Sequence, residues 1–263
     1  EGTHHACIIT VTDNASNKSD NLSVSSFTID TTAPTLSQVT AVTTPTKVTT
    51  PSYAFSSNEA GTISYGGSCS SGTTSASSGT NSISFNTLSD STYSNCTVTV
   101  TDSAGNASSP LSVNTFVVDT TAPLISSSSP SDNATGIRKN TSIAITLSEP
   151  INTSSVSVNS ASDNCGSFSL QVSGDEFENC VKMASNPSIS NSDATFSITP
   201  SDNLSPAVNY KYKLNDNISD VTGNTINTYT SEGFITEDIS SWRFIDGNVQ
   251  NYKGMSTNCD TGA

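Results

Sequence analysis

One hairpin written twice at a fixed distance limits what this chain can fold into more than any other feature. Residues 98–123 read VTVTDSAGNASSPLSVNTFVVDTTAP and residues 9–34 read ITVTDNASNKSDNLSVSSFTIDTTAP. Cys96 minus Cys7, Asp102 minus Asp13 and Asp119 minus Asp30 all give 89. In the later copy, Cys96 to Val100 and Leu111 to Val118 alternate apolar and polar residues on either side of Asp102-Ser103-Ala104-Gly105-Asn106. Alternation around a turn reads as a β-hairpin. The exit, Asp119-Thr120-Thr121-Ala122-Pro123, is stiffened by proline, which lacks an amide donor and pushes its predecessor toward extended geometry. A constant offset of 89 residues means a tandem array of similar β units.

The array divides by that offset. Residues 1–30 hold only the back half of the unit, with no counterpart of the front strands or of Cys69, so the sequence reads as a piece of something longer. A half sandwich exposes apolar faces and open edges and is not expected to stand alone. Residues 31–119 are a complete unit. Its candidate strands are Leu36 to Val42, Ser52 to Phe55, Thr62 to Tyr65, Ser82 to Phe85, Asn95 to Thr101 and Leu111 to Val118, with Gly66-Gly67 and Ser70 to Thr80 as loops. About seven short strands in about 90 residues is the rhythm of an immunoglobulin-like sandwich. The expected fold is therefore all-β, a row of tandem immunoglobulin-like β-sandwiches, with 120–238 as a further domain and 239–263 as a tail or the start of another module.

Composition enters where it excludes partners. Nine basic against twenty-three acidic residues give a formal charge of -14, the opposite of the basic footprint that nucleic acid requires. No run approaches the roughly 18 apolar residues of a membrane span, and no signal peptide opens the sequence. Among six cysteines, Cys69 with Cys96 and Cys165 with Cys180 are the economical local pairs, which implies an oxidising, extracellular or cell-surface location. No C-x-x-C occurs, and two histidines do not furnish a zinc site. Cys7 and Cys259 are left over.

The motifs of residues 120–238 carry a family likeness. Ser129-Pro130-Ser131-Asp132-Asn133-Ala134-Thr135-Gly136-Ile137, Ile143-Ala144-Ile145-Thr146-Leu147-Ser148-Glu149-Pro150-Ile151, Tyr210 to Leu214 and Asp220-Val221-Thr222-Gly223-Asn224 resemble the bacterial Ig-like domain of S-layer and other surface proteins. The earlier V-T-D-x-A-G-N and D-T-T-A-P runs resemble the Ig-like repeats of large bacterial adhesins. In those repeats calcium at the domain junctions stiffens a rod. The resemblance thereby implicates Asp13, Asn17 and Asp30 at one junction and Asp102, Asn106 and Asp119 at the next, where carboxylate and amide oxygens converge. The competing use of the same residues is local, as turn-formers that bond their own backbone. At the turn position held by Gly105 and Gly223 the first copy has Ser16, which is strained if a positive φ is required there.

Catalytic chemistry has little to work with. His4 and His5 are adjacent, so alternation points them to opposite faces of a strand. Asp175, Glu176 and Glu178 read as a solvated loop tip rather than two carboxylates facing across a sugar cleft. Trp242, Phe244 and Tyr252 in the tail are docking aromatics, with a carbohydrate platform set against ordinary packing. The sequence thus reads as a non-enzymatic structural protein of a bacterial surface. Two versions stand side by side. In one, subunits join head to tail: the tail of one completes the N-terminal half sandwich of the next, with a Cys259–Cys7 bridge. In the other, the chain is a stalk piece of a giant adhesin flanked by further domains, its binding tip lying outside or beginning at the tail.

Overall fold

The computed structural model describes residues 1–238 and, as backbone only, the strands Trp242–Ile245 and Asn248–Asn251. Tyr252 and Cys259, and the side chains of Trp242 and Phe244, lie outside the described residues. The chain divides into two compact units, Glu1–Thr120 and Thr121–Ala263.

In the first unit the strands are β1 (Gly2–His4), β2 (Ile8–Ile9), β3 (Leu22–Ser23), β4 (Phe27–Ile29), β5 (Leu36–Thr40), β6 (Ser52–Ser57), β7 (Gly61–Gly66), β8 (Ser75–Ala76), β9 (Gly79–Ser84), β10 (Ser91–Tyr93), β11 (Thr97–Thr101), β12 (Leu111–Ser112) and β13 (Phe116–Val118). Two antiparallel sheets, β5-β6-β9 and β12-β11-β7-β8, and the pair β10-β13 enclose one core. Val98 and Val100 of β11 are buried while Thr97, Thr99 and Thr101 between them are half-buried, the alternation that a strand packed on one face requires. The rings of Tyr53, Phe85, Phe116 and Tyr93 stack in a row, with successive centroids 6.3, 6.1 and 5.2 Å apart. A disulfide joins Cys69, in the loop after β7, to Cys96 at the start of β11.

The expected strands need some redrawing. Leu111 to Val118 is two strands, because β12 pairs with β11 whereas β13 pairs with β10. The apolar phase slips between Val113 and Phe116, both buried but of opposite parity, so one straight strand cannot bury both. Asn114 stabilises the break: its side chain accepts from the Val42 amide and donates to the Val42 carbonyl. β5 stops at Thr40 after a register shift between Gln38 and Thr40. The expected loop Ser70 to Thr80 contains β8 and the first residues of β9, and β10, with one apolar residue in three, carries too little pattern to be seen.

The second unit contains β14 (Ile125–Ser129), β15 (Ile143–Leu147), β16 (Leu170–Ser173), β17 (Ser188–Ser190), β18 (Thr195–Ile198), β19 (Asn209–Leu214), β20 (Tyr229–Thr230) and β21 (Phe234–Ile235). Sheet β14-β15-β18-β17 packs on β16-β19-β20, with β21 also paired to β19. Ile143, Ile145, Phe196 and Ile198 from the one, and Leu170, Val172, Tyr212 and Leu214 from the other, form the dry centre of this sandwich. A disulfide links Cys165 to Cys180. Beyond it, β22 (Trp242–Ile245) and β23 (Asn248–Asn251) pair antiparallel with each other. Among the described residues no helix is long and apolar enough to cross a membrane.

Candidate functional site

The aspartates singled out in the sequence sit in turns that bind their own backbone. Asp102 Oδ1 accepts from the Ala104 and Asn106 amides at 2.8 Å each, and its Oδ2 accepts from Asn106 Nδ2 at 2.9 Å. Asp13 repeats this with Ala15 and Asn17, at 2.8 and 2.9 Å to the amides and 3.0 Å to the side chain. In the second unit Asp220 does the same with Thr222 and Asn224, and it is buried. Each of these turns needs a left-handed residue at its fourth position, which is Gly105 at φ 95° and Gly223 at 87°, but Ser16 at 69°. A further turn escaped the sequence reading: Asp175 accepts from the Asn179 amide at 3.0 Å and side chain at 2.8 Å. Its D-E-F-E-N run has the same spacing from Asp to Asn, and only the missing glycine hid it. Of its neighbours, Glu176 is paired with Lys211 at 2.6 Å and Glu178 is exposed.

These bonds favour the charged form. The Asn106 side chain, with the surrounding turn amides, holds the Asp102 carboxyl below the usual aspartate range, and Asn17 does the same for Asp13. At Asp220 burial pushes the pKa up, but the bonds from Asn224 and Thr222 outweigh it and the net direction is down.

One carboxylate cluster forms within the first unit. Asp30 follows β4, Glu59 lies in the turn between β6 and β7, and Asp102 follows β11; each offers an oxygen within 4.8 Å of the others. Asn106 ties the cluster together by donating from Nδ2 to the Asp30 carbonyl at 3.1 Å. Glu59 is positioned locally, its amide donating to Ser57 Oγ and its Oε1 accepting from Asn58 Nδ2. Asp30 and Asp102, which the family resemblance assigned to different junctions, thus meet, while Asp13 and Asn17 bond each other in their own turn. Asp119 stands after β13 as Asp30 stands after β4, and its amide donates to the Thr46 carbonyl at 2.9 Å. Glu59 was missed. Its signal is an acidic residue just past the second long strand, a place that Glu149 takes after β15, with a carboxylate oxygen within 4.8 Å of one on Asp220. Three carboxylates that all present oxygen suit a hard cation such as calcium, which takes about six to eight oxygen ligands.

A second feature is the open face of residues 1–30. Registers Gly2↔Ile29 and His4↔Phe27 reproduce Ser91↔Val118 and Tyr93↔Phe116, and Ile9↔Leu22 reproduces Val98↔Leu111. Exposure does not follow. Ile9, Val11, Phe27 and Ile29 are 52, 68, 45 and 44% exposed, whereas Val98, Val100, Phe116 and Val118 are at most 1% exposed. The His4 ring stacks on Phe27 at 5.3 Å and covers part of it. Cys7, the counterpart of disulfide-bonded Cys96, has a half-buried thiol without a disulfide partner among the described residues.

With two facing sheets, a bridged loop and the Asp220 turn in place, the second unit has the parts that its sequence motifs led one to expect. Residues 119–244 match the bacterial Ig-like domain family. No curated protein matches the chain. Bacterial Ig-like domains are typically non-enzymatic structural domains. The described residues of the second unit contain an open cleft of about 590 Å³. That cleft is bordered by Asp163, Asp175, Asn203, Ser205 and Tyr210. Asp175 is committed to Asn179, and the Tyr210 hydroxyl accepts from the Ser205 amide. The two disulfides and the bacterial Ig-like domain are compatible with an extracellular or surface location.

Proposed function

We propose that this chain is a load-bearing segment of an extracellular bacterial surface protein, its sandwiches set in tandem to give reach and stiffness rather than catalysis. The observation that carries this reading is the recurrence of one back-half hairpin and one aspartate turn, followed by a bacterial Ig-like domain, with a disulfide in each complete sandwich. Each disulfide sets a limit on extension. Pulling single molecules tests this directly: reduction releases the loops closed by Cys69 and Cys96, 27 positions apart, and by Cys165 and Cys180, 15 positions apart. The expected gains in contour length are about 90 and about 50 Å. Equal lengths before and after reduction would contradict a mechanical role for the bridges.

Calcium belongs to the same reading as a stiffener at Asp30, Glu59 and Asp102, since it would replace carboxylate repulsion with shared coordination. Calcium is then expected to raise the melting temperature of the first unit and Glu59→Gln to abolish that rise; an unchanged melting temperature removes calcium from the proposal.

The partner in this reading is whatever closes the half sandwich at residues 1–30. Subunits joining head to tail, the tail with Cys259 closing the face beside Cys7, would make a filament. Flanking polypeptide would make a stalk. Gels run with and without reductant separate them, because only the filament gives a Cys7–Cys259 link between chains.

A further inference from the structure

The open face of residues 1–30 specifies its occupant, because this chain contains the same face already covered. In the complete sandwich the cover for β11, β12 and β13 is residues 31–90: Tyr53, Phe55, Ile83 and Phe85 pack on Phe116, Val98 and Val100, β7 pairs along β11, and Cys69 bonds Cys96. The uncovered set repeats its partners down to single hydrogen bonds. The Val24 amide donates to the Cys7 carbonyl at 2.8 Å as Val113 donates to Cys96 at 2.9 Å, and Val11 receives Ser19 at 2.8 Å as Val100 receives Ser108 at 2.9 Å. Even the entry point matches. Glu1, before β1, accepts from the Thr31 hydroxyl at 2.8 Å, and Asp90, before β10, accepts from the Thr120 hydroxyl at 2.7 Å. A face of exposed Ile9, Val11, Phe27 and Ile29 would be unfavourable in water, and its β2 edge offers unpaired backbone of the kind that adds a strand.

We propose that this face is the docking surface for a front half-sandwich of the same repeat type, joined to the N-terminal side of β1 as residues 31–90 are joined to β10. The proposal rests on the tandem-sandwich reading and names the partner that reading leaves open. The partner is a segment of alternating strands that adds antiparallel to Ile8–Ile9, fills the face with large apolar side chains, and carries a cysteine 27 residues before Cys7, the separation of Cys69 from Cys96. The two thiols lose two electrons and two protons to the thiol–disulfide oxidants of an oxidising compartment as the S–S bond forms. The tail beyond residue 238 fits less well: β22 and β23 already pair with each other, and their four residues each are short beside the six of β6, β7 and β9.

The chain supplies its own probe. Fusing a second copy of residues 31–89 ahead of Glu1 places the copied cysteine 27 residues before Cys7, by the same count that separates Cys69 from Cys96. The expected result under oxidising conditions is a disulfide between the copied cysteine and Cys7, with amide exchange across residues 8–29 slowed about a hundredfold. In the same fusion with the copied cysteine changed to serine, exchange is still expected to slow and Cys7 to become less accessible to thiol reagents without forming a bridge, since its counterpart Cys96 is buried. The proposal is overturned if Cys7 remains reactive and residues 8–29 keep exchanging as before, or if the unfused chain forms a Cys7–Cys259 bridge between copies. Loss of the Cys69–Cys96 bridge in the parent chain would instead count against the tandem-sandwich reading itself.

Discussion

Residues 8–29 and 97–118 share a turn, strand registers and most hydrogen bonds, yet only the second set has a core. The difference separates what local sequence determines from what tertiary burial determines. Alternation, the Asp–Asn bonds and the short exchanges between Cys7 and Val24 or Cys96 and Val113 are complete within about 25 residues, so both copies make them. The burial of Phe116 and Val118 requires Phe85, Tyr93 and the rest of the cluster, most of it supplied by residues 31–90. The same hairpin is therefore part of a packed core in one place and an exposed apolar face in the other.

Truncating matched residues breaks the comparison most sharply. Phe116→Ala is expected to cost about 3–5 kcal/mol, because it empties the middle of the aromatic row. Phe27→Ala, on the open face, is expected to cost less than about 1 kcal/mol. Urea titrations followed separately in each segment measure both, and equal costs would mean that the first copy is as well packed as the second. Replacing Cys69 and Cys96 together by serine is expected to cost about 3 kcal/mol, since the bridge closes a loop of intermediate length, against under about 0.5 kcal/mol for Cys7→Ser.

Smaller effects sharpen the turns. Gly105→Ala forces a side chain into the left-handed region and is expected to cost about 1 kcal/mol, while Ser16→Gly relieves that strain and gains up to about 0.5 kcal/mol. Acid titration reads the aspartates. Their folded pKa values lie below the unfolded value of about 4, so the stabilisation is present above that value and is lost as the pH falls through the folded one. Asp102→Asn is expected to flatten acid unfolding of the complete sandwich between about pH 4 and the lowered folded value, whereas Asp13→Asn leaves it unchanged.

Much of this was legible in the sequence. The offset between the copies, the alternation of β11 and the two local cysteine pairs led to the sandwiches and their bridges without further help. What escaped has physical reasons. β8 and β10 are edge pieces of two and three residues whose pairing depends on neighbours distant in the chain, Gly61 with Ala76 and Tyr93 with Phe116. The break at Asn114 was present as a change of apolar phase, but alternation alone does not say that the chain has left β11 to pair with β10. The carboxylate cluster was half visible. Asp30 and Asp102 stand out by repetition, yet their meeting depends on how a hairpin end folds back toward the exit of the previous copy. Glu59 is an ordinary turn residue until that contact places it.

Residue-resolved hydrogen exchange across the pairs Ile9 and Val98, Leu22 and Leu111, and Phe27 and Phe116 tests the central claim in the unmodified chain. Protection is expected to be strong at the later member of every pair and to fall by about two orders of magnitude or more at the earlier one. Matching protection within all of the pairs would show that residues 1–30 already have their core, and that no partner is needed to close them.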